Sequence, residues 1–285
     1  MIDAIILDVD GVIVGEKIGF NSPYSHQAVI NVLKQIRQKN IPIILCTAKP
    51  YKSILEIIKS ASLNNLHIAD AGGVIYDPID NAVLEELFIE KQLAKNILQT
   101  CLDNNIYTEF YTRDNYFIQE NQESFITPKH AHVLQFMPIK VPSLIQETNK
   151  QNITKIMPIA LDHEDKKRVI EILKPFENLA SISWGLHPYA GHLQFCIITN
   201  KNTSKKTAVE KIIKSKKINF ENILAVGDST SDWKFMELCG YVATLENGTS
   251  ELKNLIKIKG EKHFFIGKSV DENGILDIFE FFKLS

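Results

Sequence analysis

The stretch Ile5-Ile6-Leu7-Asp8-Val9-Asp10-Gly11-Val12 decides the fold of this chain. Its apolar residues run directly into two carboxylates one residue apart, and a glycine follows. A short, continuous apolar run rich in isoleucine is typical of a strand that is buried on both faces of a parallel sheet. We predict that the strand stops at Asp8. Asp8 and Asp10 would then lie at its carboxyl end, where open α/β sheets bind ligands.

Two carboxylates this close together repel each other unless one is protonated or a cation lies between them. A hard divalent ion with oxygen ligands satisfies the pair, and Mg²⁺ is the natural candidate. The alternative interpretation is a turn in which Asp8 and Asp10 only hydrogen-bond to the backbone. The rest of the chain has to decide between these two interpretations.

The chain divides into an alternating pattern at both ends and a different pattern between them. Over residues 1–78 strands and helices alternate, which predicts a parallel sheet with right-handed crossovers. The alternation resumes over 199–285. Hairpins, helices and strands over 79–198 predict a separate α+β insert, in which residues 120–152 have no clear pattern. The predicted fold class is α/β, with a Rossmann-like core of two segments.

Composition limits the setting and the partners. A hydrophobic content of 45% and a net charge of −2 are ordinary for a soluble globular protein, and they do not indicate nucleic acid or an anionic membrane as a partner. No apolar stretch approaches the roughly 20 residues that span a bilayer. Acidic residues interrupt the first apolar run, which is atypical of a signal peptide. Widely spaced cysteines predict free buried thiols in a reducing, cytoplasmic setting: Cys46, Cys101, Cys196 and Cys239.

Two further polar segments lie near predicted helix starts. Thr47 and Ala48 follow the second apolar strand, where a hydroxyl and backbone N–H groups can cradle an anion. Alternatively, Thr47 only caps the helix that begins near Pro50. Lys205 begins a predicted helix over 205–216 and could bring a positive charge to a phosphate. The other lysines nearby are expected on a solvated surface.

The last segment, Gly227-Asp228-Ser229-Thr230-Ser231-Asp232, follows a predicted buried strand. Asp228 and Asp232 again place two carboxylates beside a sharp loop, which suits a metal with oxygen ligands. The alternative is that Asp228 or Ser229 only caps a helix, as we also expect of Ser25 before a helix over 26–39. Because acidic pairs follow two separate parallel strands, a shared site explains them better than coincidence does.

Together these motifs resemble those of the haloacid dehalogenase superfamily of phosphohydrolases. The four motifs match in chain order at Asp8-Val9-Asp10-Gly11-Val12, at Thr47, at Lys205, and at Gly227-Asp228 with Asp232. The place of the insert resembles the Cof-type branch, whose α+β cap follows the third core strand. The chain departs from that branch at Thr47-Ala48-Lys49, where Thr-Gly-Arg is usual. The resemblance implies a catalytic core of 1–78 and 199–285 with a cap domain of 79–198.

The resemblance also implies a Mg²⁺-dependent phosphatase that forms an aspartyl-phosphate. Asp8 would attack phosphorus, and Asp10 would serve as general acid and then general base. The phosphoryl oxygens would be bound by Thr47, Ala48 and Lys205. The metal site would be formed by Asp8, Asp10 (through its backbone carbonyl), Asp228 and Asp232.

The expected substrate is a small phosphorylated metabolite, a sugar phosphate first of all. Trp184 and His187 lie in an aromatic and imidazole cluster of the cap that could bind this substrate, although such rings also pack domain cores. Two alternative functions stay open. One is a phosphomutase or phosphotransferase of the same superfamily, and the other is a non-catalytic binding module. In every case we expect no nucleic-acid partner and no membrane partner.

Overall fold

The computed structural model describes residues 2–186 and 190–284. In chain order its strands are β1 (Ala4–Leu7), β2 (Ile43–Leu45), β3 (His67–Ala69), β4 (Val74–Asp77), β5 (Ala82–Glu86), β6 (Tyr107–Tyr111), β7 (Tyr116–Gln119), β8 (Ile139–Val141), β9 (Lys155–Ala160), β10 (Ala180–Leu186), β11 (Gln194–Asn200), β12 (Ile223–Val226), β13 (Tyr241–Leu245) and β14 (Phe264–Gly267). Its α-helices are α1 (Gln27–Gln38), α2 (Leu55–Ser60), α3 (Lys91–Asp103), α4 (Ile126–Leu134), α5 (Leu144–Glu147), α6 (His163–Leu173), α7 (Lys205–Lys216), α8 (Thr230–Met236), α9 (Ser250–Ile256) and α10 (Ile275–Phe281).

The core is a parallel sheet with β1 near its centre. Its spatial order is β14-β13-β12-β1-β2, and each neighbouring pair is parallel. Every residue of β1 is buried: Ile5 and Leu7 pack in a cluster with α1 and α10, while Ala4 and Ile6 pack in a second cluster with α7 and α8. The predicted α/β core with a sheet covered on both faces is therefore confirmed.

A smaller antiparallel sheet, β3-β4-β5, extends this core. β3 joins β2 through one parallel bridge, Cys46 with Ile68, and through the side chain of His67. The buried His67 ring accepts a hydrogen bond from the Leu45 N–H at Nδ1 (3.1 Å), while its Nε2 lies 2.9 Å from the Leu63 carbonyl. The division that we predict between residues 78 and 79 falls between β4 and β5 of this hairpin.

The insert has its own mixed sheet, with spatial order β10-β11-β9-β6-β7-β8. Residues of α3, α5 and α6 pack on one face of this sheet, with Ile97 and Val169 among them. The other face carries α4, which contributes Ile126 and Leu134. The stretch 120–152, which has no readable sequence pattern, contains α4, β8 and α5. We refer to this insert as the cap.

Helix ends confirm some sequence predictions and correct one. Ser204 caps α7 as predicted, since its hydroxyl accepts a hydrogen bond from the Thr207 N–H at 3.0 Å. The prediction that Ser25 caps the first helix is wrong. α1 begins one residue later than expected, and the ring of His26 accepts a hydrogen bond from the Ala28 N–H at 3.2 Å. The prediction of free, buried cysteines is confirmed. Among the described residues, no helix has the length and apolar character needed to cross a bilayer.

Candidate active site

Three carboxylates meet at the carboxyl end of the core sheet. Asp8 follows β1, and its N–H donates to the Val226 carbonyl of β12 at 3.0 Å. Asp228 and Asp232 follow β12, and Asp8, Asp228 and Asp232 each offer a carboxylate oxygen within 4.8 Å of the others. Gly11 makes room for this approach, because a Cβ at its position would lie 2.2 Å from Asp228 Oδ2. The two acidic motifs therefore come together, as the strand order predicts.

Lys205 joins two of these carboxylates. Its Nζ donates to Asp8 Oδ2 and to Asp232 Oδ1, each at 2.7 Å. The other Asp232 oxygen accepts the backbone N–H groups of Asp228 and Ser229, each at 3.2 Å. Both Asp232 oxygens therefore have partners within the protein, and so do both Asp8 oxygens, since Lys205 binds one and the Val9 N–H donates to the other at 2.7 Å.

Burial and crowding shift the ionisation of this cluster. Desolvation raises the pKa of Asp8 to about 7, with Lys205 opposing that shift and Asp232 adding to it. Desolvation also raises the pKa of Asp228 well above its usual value, and the charges of Asp232 and Asp8 raise it further. Burial lowers the pKa of Lys205, but Asp232 and Asp8 outweigh burial and hold it well above the usual value. The cluster thus has excess negative charge for which one lysine does not compensate.

The donor set of this cluster fits a hard divalent cation. Carboxylate oxygens are the ligands that such ions prefer. A cation would relieve the repulsion that raises the pKa values of Asp8 and Asp228. No other group of three or more potential metal ligands of this kind is found among residues 2–186 and 190–284.

Asp10 has a separate environment. Its carboxylate forms an ion pair with Lys49, with Nζ 2.8 Å from Oδ1, and the Lys49 side chain is buried. Asp10 is not one of the three clustered carboxylates, but its charge adds to the effects that raise the pKa of Asp228. The sequence presents Lys49 only as a departure from the usual arginine. In the structure Lys49 contacts Asp10 directly, so Lys49 belongs to the site.

The turn of residues 47–49 is held from behind by the loop that follows β3. The Ala71 N–H donates to the Thr47 carbonyl at 3.0 Å, and the Asp70 N–H donates to the Lys49 carbonyl at 2.9 Å. The buried Thr47 hydroxyl accepts the Lys49 N–H at 3.2 Å. Thr47 is not the cap of the following helix, since that helix starts as a 3₁₀ turn whose capping position is Pro50.

A cavity of about 430 Å³ lies between the core and the cap. Its core wall contains the sequence-predicted residues Asp8, Asp10, Thr47, Ala48, Lys205 and Asp228. Its cap wall includes Val133, Met157, Trp184, Gln194, Phe195 and Thr199. Trp184, a predicted substrate residue, therefore lines the same cavity as Asp8. His187, the other predicted substrate residue, lies outside the described residues.

Comparison with known proteins assigns the family. The sequence profile of the haloacid dehalogenase-like hydrolases matches residues 5–279, so the chain belongs to this family. It is 24% identical over 292 aligned positions to the 5-amino-6-(5-phospho-D-ribitylamino)uracil phosphatase YwtE of Bacillus subtilis, covering 95% of this chain and 94% of the relative. It is 26% identical to an uncharacterized hydrolase of Schizosaccharomyces pombe, over 87% of this chain and 82% of that protein.

Solved structures agree on the fold. A haloacid dehalogenase-like hydrolase from Bacteroides thetaiotaomicron superposes with a TM-score of 0.80 at 15% identity, covering 98% of this chain and 99% of the other. The sugar phosphatase BT4131, described as a member of subclass IIB, superposes with a TM-score of 0.78 at 17% identity, over 99% and 100% of the two chains. The predicted family, fold class and enzyme class, a phosphoric monoester hydrolase, are confirmed.

Proposed function

We propose that this protein is a Mg²⁺-dependent phosphatase that hydrolyses a small sugar phosphate through an aspartyl-phosphate intermediate. The observation that carries the proposal is the convergence of Asp8, Asp228 and Lys205 on one cavity that the cap covers. A cavity of about 430 Å³ suits a small metabolite. The activities for which the two phosphatases above are named, on a phosphorylated ribityl compound and on a sugar phosphate, support this substrate class.

In the first step of the proposed reaction, an Asp8 oxygen attacks phosphorus. A bond forms between that oxygen and phosphorus, and the bond from phosphorus to the leaving alcohol oxygen breaks. Asp10 gives its proton to that alcohol oxygen. The contacts to the Val9 N–H and to Lys205 fix the direction of the Asp8 carboxylate before the attack, so little reorganisation is needed.

In the second step water replaces Asp8 on phosphorus. Asp10 takes a proton from the water, whose oxygen attacks phosphorus, and the aspartyl oxygen–phosphorus bond breaks. Inorganic phosphate leaves, and Asp8 is a carboxylate again. Lys49, whose Nζ lies 2.8 Å from Asp10 Oδ1, orients the Asp10 side chain in both steps, and we place the proton that Asp10 gives and takes on its other oxygen, Oδ2.

The phosphoryl oxygens would be bound by Lys205 and by the turn of Thr47 and Ala48. Positioning and charge stabilisation supply most of the catalysis in phosphoryl transfer. Asp8 and Asp228 would hold the magnesium ion together with the Asp10 backbone carbonyl, and the ion would neutralise charge on the nucleophile and on the phosphate. Because Asp232 is wholly buried, is not among the residues that line the cavity and is held by Lys205 and by backbone N–H groups, we assign Asp232 to the support of this site.

The test is the release of inorganic phosphate from p-nitrophenyl phosphate and from a panel of sugar phosphates, with magnesium and with excess chelator. We expect release only with magnesium, and none from Asp8→Asn, which removes the nucleophile. Asp3→Asn is the matched control, since Asp3 lies exposed near the opposite end of β1 and should keep wild-type turnover. Turnover by folded Asp8→Asn, or turnover in excess chelator, would refute the mechanism. An isomerised sugar phosphate in place of inorganic phosphate would indicate the mutase alternative.

A further inference from the structure

Lys155, the first residue of β9 in the cap, is a buried cation whose contacts cross into the core. Its side chain has 0% exposure, and its Nζ lies 2.7 Å from Asp70 Oδ1. The same Nζ donates to the Ala48 carbonyl at 2.9 Å and stands 4.1 Å from the centre of the Tyr111 ring. A buried lysine is costly unless it is paired, so its place between two domains needs an explanation.

The Ala48 carbonyl is the middle one of three consecutive carbonyls in the turn of residues 47–49. The core itself binds the outer two, through the Ala71 and Asp70 N–H groups. The middle carbonyl receives its hydrogen bond from the cap, through Lys155. The cap thus completes the set of hydrogen bonds that orients this turn.

The loop that supports the turn has a strained backbone. Asp70 and Ala71 both have positive φ, +46° and +57°, in a region that residues with a Cβ rarely adopt. Such a conformation persists only where the surroundings hold it. The ion pair with Lys155 and a longer contact from the Thr154 hydroxyl, at 3.4 Å, hold the Asp70 carboxylate.

Hydrogen bonds within the cap fix the tyrosine ring against which the Lys155 ammonium group lies. The Tyr111 hydroxyl donates to Glu109 Oε2 at 2.7 Å, and the Tyr107 hydroxyl donates to Glu109 Oε1 at 3.1 Å. Glu109 is wholly buried and belongs, like Tyr111, to β6, which pairs with β9. The ammonium group therefore sits over a tyrosine ring that is itself fixed in direction.

Other polar contacts seat the cap on the segment that follows this turn. The Tyr51 hydroxyl donates to Asp114 Oδ1 at 2.8 Å, and the Ser53 hydroxyl donates to the Leu134 carbonyl at 2.8 Å. Together with the contact of Lys155 to Ala48, these hydrogen bonds connect the cap to residues 48–53 of the core. The cap is thereby anchored next to the turn that lines the catalytic cavity.

We propose that Lys155 is a positioning residue through which the seated cap sets the geometry of the phosphate-binding turn 47–49. This inference rests on the phosphate-binding role proposed above for that turn. It gives the cap a part in the chemistry in addition to substrate selection. The turn reaches its working geometry only while the cap is docked, so phosphoryl transfer is coupled to cap closure.

The first test is Lys155→Met, which keeps the length of the stem and removes the charge and the donor. We expect kcat to fall about 10- to 100-fold, as for the loss of a positioned hydrogen-bond donor. The factor should be equal for p-nitrophenyl phosphate and for a sugar phosphate, because the turn binds the transferred group and not the leaving group. Inorganic phosphate, used as an inhibitor, should bind more weakly by a similar factor.

A second variant separates positioning from stability. Lys155→Met leaves the Asp70 carboxylate buried without its cation, so a lower Tm is expected as well. Lys155→Met with Asp70→Asn removes that unpaired charge, and Tm should recover while kcat stays low, because the Ala48 carbonyl still lacks its donor. If kcat returns with Tm, the pair is merely structural and the proposal is overturned.

Two further variants complete the experiment. Val169→Ala is the stability control. It removes side-chain volume from the hydrophobic cluster on the face of the cap sheet that carries α3, α5 and α6, so Tm should fall while kcat is unchanged. Thr47→Ala tests the turn itself. If Thr47→Ala keeps wild-type turnover, the proposed role of the turn fails. If Thr47→Ala impairs turnover while both Lys155 variants retain wild-type kcat, only the inference about Lys155 fails.

Discussion

The two walls of the catalytic cavity differ in their chemistry. The core wall carries buried charges, with Lys205 between Asp8 and Asp232 and with Asp228 beside them. The cap wall offers large apolar side chains and neutral polar groups, among them Met157, Trp184, Gln194 and Phe195, and Lys166 is the one charged residue that the described part of the cap adds to it. We infer that the charged core wall is suited to the phosphoryl group, which every substrate shares, and the largely neutral cap wall to the part that varies.

This contrast has a kinetic consequence. Changes in the core wall should lower kcat for all substrates, because they act on the transferred group. Changes in the cap wall should raise KM for some substrates and spare others. Lys155 is the instructive exception, since it belongs to the cap but contacts the core turn.

Lys205→Met should have the largest effect. It removes the cation that orients Asp8 and that would bind a phosphoryl oxygen, so we expect kcat to fall about 1,000-fold for every substrate. Steady-state kinetics with p-nitrophenyl phosphate and a sugar phosphate measure this, with circular dichroism to confirm folding. Lys214→Met, on the exposed side of the same helix, is the control and should keep wild-type kcat. If only KM rises and kcat is unchanged, Lys205 does not act on the phosphoryl group during its transfer.

The second prediction concerns pH and the metal. Burial raises the pKa of Asp8 to about 7, and Asp8 must be ionised to act as the proposed nucleophile, so we expect activity to be lost as pH falls. With magnesium limiting, kcat/KM should fall about tenfold for each pH unit below that value. Saturating magnesium should move the midpoint to lower pH, because a bound cation favours the carboxylate. A midpoint that does not respond to magnesium would contradict a shared metal site at Asp8.

Lys49→Met should have a smaller effect that depends on the leaving group. It removes the 2.8 Å contact that orients the Asp10 side chain for proton transfer, so general-acid catalysis should weaken by about tenfold for an alkyl leaving group such as a sugar. Nitrophenolate leaves without a proton, so kcat for p-nitrophenyl phosphate should fall little. Lys49→Arg keeps the cation and is the matched control. Equal losses for both substrates would mean that Lys49 acts on the phosphoryl group instead.

The sequence and the structure agree where the information is local. An apolar run that ends in Asp8-Val9-Asp10 specifies a buried strand and the carboxylates at its end, because strand direction and side-chain position follow from a few neighbouring residues. The motif at Asp228 is local in the same way. The meeting of the two motifs then follows from the parallel order of β1 and β12.

Other features could not be predicted because they depend on contacts between distant residues. Lys155 lies 107 positions from Ala48, and a single lysine at the start of an apolar strand indicates only a surface charge. Positive φ values at Asp70 and Ala71 precede the one at Gly72, and only the glycine is a residue from whose type the sequence could predict such a backbone. Residues 120–152 form α4, β8 and α5, elements too short to show a clear periodicity. The capping role of His26 in place of Ser25 is a difference of one residue that tertiary packing decides.

Trp184→Ala should have the smallest effect and addresses the cap wall alone. Trp184 is among the residues that line the cavity, and the Lys166 ammonium stands 5.1 Å from the centre of its ring, so we expect Trp184 to contribute apolar contact to the leaving group. Loss of about 1 kcal/mol of such contact corresponds to a KM about fivefold higher for a sugar phosphate, with kcat unchanged. Trp184→Phe keeps an aromatic face and should recover most of the affinity. A uniform loss of kcat across all substrates would instead mean that the cap wall acts on the phosphoryl group, and the contrast between the two walls would fail.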